Sequence, residues 1–115
     1  MAKQIYKPTK IVGVTGLRHV NSVIDTGATY TIISPQLAES IGVITTREWG
    51  DIEINACRQT LRVKKILIPT LEMDGVEIEN VTGYVSDTGF ELLIGMDTLE
   101  RLGMVHQTGR LKIEY

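Results

Sequence analysis

A chain of 115 residues with 43% hydrophobic content suits one globular domain and is too short for two ordinary ones, and its formal charge of −2 provides no basic footprint for nucleic acid. No apolar run approaches the roughly 20 residues of a membrane-spanning helix, and the charged opening Met1-Ala2-Lys3-Gln4-Ile5-Tyr6-Lys7 has no apolar h-region of a secretory signal. A cytoplasmic chain is therefore expected, and the single cysteine, Cys57, which cannot form an intrachain disulfide, fits a reducing compartment as a structural residue.

The first expected elements are two short strands within Lys3 to Gly16, broken near Lys7-Pro8 because proline has no N–H to give to a ladder. Gly16-Leu17 offers a reversal, and Leu17 to Ile24 returns as a strand whose end delivers Asp25 to the centre of a sheet. Next comes Val23-Ile24-Asp25-Thr26-Gly27-Ala28, in which a carboxylate follows two β-branched residues and Gly27 permits a turn. By itself Asp-Thr-Gly is also an ordinary turn sequence. Thr29 to Ser34 reads as strand again, so Asp25 lies in a strand-loop-strand unit. Ser34-Pro35 has the pattern of an N-cap followed by proline at the first helical position, and a short helix through Gln36 to Ser40 is expected to stop at Gly42.

From Gly50 to Val63, Ile52 and Ile54 alternate with polar residues, as do Leu61 and Val63, which predicts a hairpin with its turn at Asn55 to Gln59. The strand continues over Lys65 to Leu71 and reverses at Met73-Asp74-Gly75-Val76, a strong hairpin signal. Val76 to Ser86 is the next strand, and Leu92-Leu93-Ile94-Gly95 is a consecutive apolar run of the kind found where both faces are covered. Met96 to Leu102 fits a short amphipathic helix ending at Gly103, and Met104 to Gln107 and Leu111 to Tyr115 flank Thr108-Gly109-Arg110 as a terminal hairpin.

The Asp25-Thr26-Gly27-Ala28 loop, together with the later apolar-apolar-Gly element at Leu93-Ile94-Gly95, resembles the retropepsin-like aspartic proteases, and the likeness covers most of the chain in order. It implies an all-β closed acid-protease barrel with one or two short helices, one lobe per chain, spanning residues 1–115 as a single domain. A chain of this length supplies one catalytic loop, so the resemblance implies a symmetric homodimer in which two copies of Asp25 meet and activate water for peptide-bond hydrolysis. Such hydrolysis needs a base and an acid within a few ångströms of one another. Two carboxylates confined together do not both ionise easily, so one keeps a proton and the pair titrates as a unit.

In the resembled family Thr26 buttresses the loop across the dimer, and Gly27 lets the backbone approach dyad and substrate. Ala28, Thr29, Tyr30, Phe90 and Leu93 are the implied substrate-binding residues, with the Asn55 to Gln59 tip as the flap above them. On pattern alone a plain surface hairpin is nearly as good a reading of it. Ala28 also lacks the hydroxyl that pepsin-like members often place beside the carboxylate, which points to work at less acidic pH than pepsin. The chain departs from retroviral members at Thr29 and Met96, where those enzymes commonly carry a paired Asp and Arg. Losing both members leaves no orphan charge.

A second Asp-Thr-Gly at 87–89 follows Val85-Ser86 rather than two buried residues, and reads as a turn. Two lobes of about sixty residues would leave almost no core in either. No cofactor or metal is expected: His19, His106 and Cys57 lack metal-ligand spacing. The implied partners are a peptide or unfolded protein substrate and a second copy of the chain, with neither nucleic acid nor membrane. The competing reading is a retropepsin-fold dimeric module that binds peptide or protein without cleaving it.

Overall fold

The computed structural model describes residues 5–54 and 59–104. Its strands are β1 (Ile5–Val12), β2 (Leu17–Ile24), β3 (Thr31–Ile33), β4 (Ile44–Ile54), β5 (Gln59–Met73), β6 (Val76–Val85) and β7 (Leu92–Ile94), with helices α1 (Pro35–Ile41) and α2 (Met96–Arg101). Neighbours run in the order β1-β2-β7-β3-β6-β5-β4, and a further antiparallel pairing of β1 with β5 closes six of the strands on themselves. This is the expected closed barrel with two short helices. Closure removes the exposed edges that an open sheet of this size would present, and leaves β4 as the outlying strand.

The β1–β2 hairpin pairs Ile5 with Ile24 through to Val12 with Leu17, so β1 is one continuous strand and not two pieces broken at Lys7-Pro8. Pro8 is accommodated because β5 reaches β1 only from Thr9 onward, leaving Pro8 in a stretch flanked by β2 alone. On the inner face Thr9 and Ser22 share a 2.6 Å hydroxyl contact, and the half of β1 that is covered twice contributes Ile11 to the core.

Ser34 caps α1 as expected: its hydroxyl oxygen accepts from the Leu37 N–H at 3.1 Å, with Pro35 at the first position. The helix buries Leu37, Ala38 and Ile41, each large side chain stabilising the fold by about 1.5–3 kcal/mol. The Asp74-Gly75 reversal has both residues at positive φ, 53° and 78°, the left-handed pair a two-residue hairpin turn requires.

β4 begins at Ile44, six residues before the hairpin expected from Gly50 onward, because a register shift between Thr45 and Trp49 interrupts its alternation. Beyond it, Trp49 to Ile54 pairs with Gln59 to Lys64, which is the expected hairpin. Gln59, expected in the turn, is instead the first residue of β5, paired with Ile54. Residues 55–58 of the tip, which include Cys57, and residues 105–115 of the expected terminal hairpin, which include His106, lie outside the described residues.

The main core gathers Ile11, Ile33, Ile41, Ile66, Ile68, Leu71, Leu92, Ile94 and Leu99, all essentially inaccessible to water. A smaller cluster of Ile32, Ile52, Val63, Tyr84 and Leu93 lies beneath the β4–β5 hairpin, with Ala28 packed against it. The short strands β3 and β7 serve both: Ile33, Leu92 and Ile94 face the main core while Ile32 and Leu93 face the smaller cluster. That double burial is why these two segments read as unbroken apolar runs.

Candidate active site

Asp25 follows directly on β2, and its backbone N–H donates to the Ile94 carbonyl at 3.0 Å, extending the parallel β2–β7 ladder by one residue. The loop then folds on itself. The Gly27 N–H donates to Asp25 Oδ1 at 2.9 Å and the Ala28 N–H to the Asp25 carbonyl at 3.2 Å. The carboxylate is thus oriented by its own loop while remaining half-buried, and Thr26 and Gly27 beside it are exposed.

The loop is held from behind by the start of α2. The first helical N–H groups have no partners within a helix; here Met96 donates to the Ala28 carbonyl at 2.8 Å and Asp97 to the Thr29 carbonyl at 3.1 Å. Gly95 lies so close to Tyr30 that a Cβ at that position would stand 2.3 Å from the Tyr30 carbonyl oxygen and 2.5 Å from its carbonyl carbon. The glycine at the end of Leu93-Ile94-Gly95 is therefore a requirement of space. With φ at −91° it is not one of backbone conformation.

Under this crossing sits a buried polar knot. The Gly95 N–H donates to Thr31 Oγ1 at 3.2 Å, Thr31 Oγ1 contacts Thr98 Oγ1, and both hydroxyls lie 3.3 Å from Asp97 Oδ1, which also accepts the Thr98 N–H at 2.7 Å. Burial pushes the Asp97 carboxyl above its ordinary pKa, partly offset by the hydrogen bonds from Thr98 and Thr31 and by the Arg101 charge. Thr31 and Thr98 are almost wholly buried.

In front of the loop a cavity of about 290 Å³ is lined by Gly27, Ala28, Thr29, Tyr30, Ile32, Asp51 and Ile52. It brings three of the five implied substrate-binding residues together, Ala28, Thr29 and Tyr30. Leu93 lies 8% exposed in the cluster below, and Phe90 lines a separate hollow with Ser34, Gln36, Leu37, Asp87, Gly89 and Glu91, its ring edge-on to Tyr6. Asp51 and Ile52 were not among the expected lining residues; the alternation of β4 that places Ile52 inward was the available signal. A larger hollow, about 360 Å³, opens between β1, β2 and β5 around Lys10, His19 and Glu72 and touches no residue of the Asp25 loop. It is more open to solvent, and the smaller cavity is the one adjoining Asp25.

The base of the β4–β5 hairpin is seated on an aromatic pair. Tyr84 and Tyr30 meet edge to face with centroids 5.1 Å apart, and a Cβ on Gly50 would stand 2.5 Å from the Tyr84 ring. Beside it Thr46 Oγ1 donates to the Lys65 carbonyl at 2.7 Å, and the Glu48 carboxylate bonds the Lys65 ammonium at 2.7 Å, which raises that ammonium's pKa. The second Asp-Thr-Gly forms a local turn: the Gly89 N–H donates to Asp87 Oδ1 at 3.0 Å, with Gly89 at φ 84° and Asp87 exposed. Among the described residues no group of three or more His, Cys, Asp or Glu side chains could hold a metal ion, and no helix is long and apolar enough to cross a membrane.

Residues 12–101 match the family model described as "gag-polyprotein putative aspartyl protease". Among solved structures the chain is similar to the retroviral protease-like domain of Ddi1 from Leishmania major, with 27% identity, 88% of this chain and 78% of that one covered, and a TM-score of 0.60. EIAV protease complexed with the inhibitor HBY-793 superposes with a TM-score of 0.68 at 17% identity, over 90% and 91% of the two chains. A retropepsin-like aspartic protease from Rickettsia conorii gives a TM-score of 0.59 at 22% identity, over 85% and 71%. No curated protein matches the chain significantly. A family match over most of the chain, on a closed barrel shared with these structures, makes this protein a member of the gag-polyprotein aspartyl protease family with the retropepsin-like fold.

Proposed function

We propose that the chain is an aspartic endopeptidase, active as a symmetric homodimer in which the Asp25 carboxylates of two copies form the catalytic pair. The observation that carries this reading is the construction of the loop: Asp25 is oriented by the Gly27 N–H at 2.9 Å, backed by α2, and adjoins a cavity with an apolar floor. One such loop is a half-site. Peptide hydrolysis requires one group to take a proton from the attacking water and another to give one to the carbonyl oxygen or leaving nitrogen. Two Asp25 side chains across a two-fold axis meet that requirement, with one proton shared between them. Water attacks the peptide carbonyl as the ionised member takes its proton, and the protonated member stabilises the tetrahedral oxygen. Collapse then returns a proton to the leaving amine.

Thr26 and Gly27 are exposed in the single chain, as loop residues that meet a second subunit must be. The apolar side chains of Ala28, Tyr30, Ile32 and Ile52 favour hydrophobic residues beside the cleaved bond. Leu93 shapes the floor from beneath. The β4–β5 hairpin lies over this cavity as a flap. Its base rests on Tyr84, and the cavity reaches Ile52 on its inner face.

The test is cleavage of a denatured protein substrate from about pH 3 to about pH 7 by wild type and Asp25→Asn, with sedimentation in parallel. Cleavage by a wild-type dimer, lost in the variant without loss of dimerisation, is the expected result. Inactivity of both, with peptide binding retained, would instead establish a non-cleaving binding module.

A further inference from the structure

We infer that Thr31 and Asp97 are positioning residues of the Asp25 loop, joined by a directed hydroxyl relay that fastens the Gly95 turn and the start of α2 to that loop. The inference rests on the protease reading only for its consequence in turnover; the relay itself is a matter of proton counting. Three oxygen-oxygen contacts link Thr31, Thr98 and Asp97, and only two hydroxyl protons are available to them. Thr31 Oγ1 already accepts the Gly95 N–H, and an ionised Asp97 can only accept. The close Thr31–Thr98 contact must contain one of the two protons, because two oxygens so near repel without one. The remaining proton then has one place to go, Asp97 Oδ1. Whichever hydroxyl stands second, the relay runs from the Gly95 N–H through the threonines and ends on the Asp97 carboxylate.

That direction has a mechanical result. Asp97 anchors the relay by its side chain while its own N–H holds the Thr29 carbonyl, and its neighbour Met96 holds the Ala28 carbonyl. One residue thus ties the interior knot to the loop that carries Asp25. Retroviral members commonly place an Asp–Arg pair at the positions of Thr29 and Met96. Here those side chains contribute no ion pair, and the junction is secured by main-chain bonds from Met96 and Asp97 with the buried relay behind them. The groups facing Asp97 are Thr31 on β3, Thr98 on its own helix and the Arg101 guanidinium, which also reaches the Glu79 and Asn80 carbonyls of β6. A neutral side chain at 97 weakens the terminal acceptor without removing volume.

The decisive comparison is Thr31→Val against Thr31→Ser, supported by Asp97→Asn, all in the full chain. Valine keeps the shape of threonine and removes the hydroxyl; serine does the reverse. Two readouts are taken: hydrogen exchange at the Gly95, Met96 and Asp97 amides, and kcat and KM on dye-labelled denatured casein. Thr31→Val is expected to speed exchange at Gly95 by about tenfold or more, as loss of one buried hydrogen bond implies, and to lower kcat with KM little changed. Thr31→Ser should restore both. Asp97→Asn should speed exchange at the same three amides and lower kcat in the same way. If Thr31→Val does not fold, the Asp97→Asn exchange data decide alone. Equal behaviour of Thr31→Val and Thr31→Ser, or unchanged exchange in Asp97→Asn, overturns the relay. A wild type that cleaves nothing overturns the protease reading and leaves the exchange result to judge the relay by itself.

Discussion

Replacing Gly95 by alanine tests whether the contact between the Leu93-Ile94-Gly95 turn and the loop after Asp25 is as close as the structure has it. The backbone at Gly95, φ −91° and ψ 178°, is open to any residue, so alanine introduces no conformational strain. What it meets is the Tyr30 main chain, at 2.3 Å from the oxygen, 2.5 Å from the carbonyl carbon and 2.8 Å from the nitrogen. Over-packing costs about 1–3 kcal/mol where side chains can rotate aside. Main-chain atoms cannot, so the cost here belongs at about 3 kcal/mol or above, a fall in melting temperature of about 10 °C or more for a domain of this size. Gly89→Ala is the control of opposite kind: φ is 84° and nothing lies within 4 Å of an added Cβ, so its cost is conformational, about 1–2 kcal/mol. Thermal and denaturant unfolding of both variants gives the magnitudes, and hydrogen exchange gives the location. Only Gly95→Ala should loosen the Met96 and Asp97 amides that hold the Ala28 and Thr29 carbonyls. A Gly95→Ala protein as stable as wild type, with those amides equally protected, would refute the close packing of loop and turn.

Three further outcomes are expected. Asp87→Asn should leave cleavage and stability within about 0.5 kcal/mol of wild type, since asparagine makes the same side-chain bond to the Gly89 N–H, and a dead but folded variant would point to a second catalytic loop. Asp97 has its carboxyl pKa raised by burial above the ordinary 3.8, so the folded protein holds this proton at pH values where the unfolded chain has lost it. Its contribution to stability is therefore complete below the ordinary pKa and declines as pH rises through the folded one. Asp97→Asn removes that titration, and its stability relative to wild type should grow with pH across this window; denaturant melts at stepped pH that show the difference shrinking would contradict it. Gly50→Ala should displace the Tyr84 ring from beneath the hairpin and cost about 1–3 kcal/mol, readable in the near-ultraviolet signal of the tyrosines, whereas an unchanged signal would mean the hairpin base is not seated there.

Much of this fold is written locally. Asp74-Gly75 specifies its turn, Ser34-Pro35 its helix start, and the alternation around Ile52 and Val63 its hairpin, because each depends on residues within a few positions of one another. What local pattern did not show is long-range. The pairing of Thr9 with Met73 that closes the barrel, and the parallel pairings of Val23 with Leu93 and Thr31 with Gly83, are decided by the whole sheet. Pro8 does not break β1, because its effect depends on whether a neighbour needs its N–H, which only the register reveals. Residues 44–49 escaped notice because the irregularity after Thr45 breaks the alternation that marks a strand. At the site, Asp25 was conspicuous through its apolar approach and its glycine. Thr31 and Asp97 have no such signature: one is a β-former in a strand and the other an acid in a first helical turn, and their contact spans 66 residues.

The central claim is that two copies of Asp25 make one active site, and subunit mixing tests it most directly. Wild type and Asp25→Asn are combined at fixed total concentration, allowed to exchange subunits, and assayed for cleavage of denatured protein. Each mixed dimer holds a single carboxylate, which cannot serve as both base and acid. Activity should then follow the square of the wild-type fraction, leaving about one quarter at an equal mixture. A linear decline, with about one half remaining at the same mixture, would mean that each chain carries a complete site and that the shared dyad does not exist.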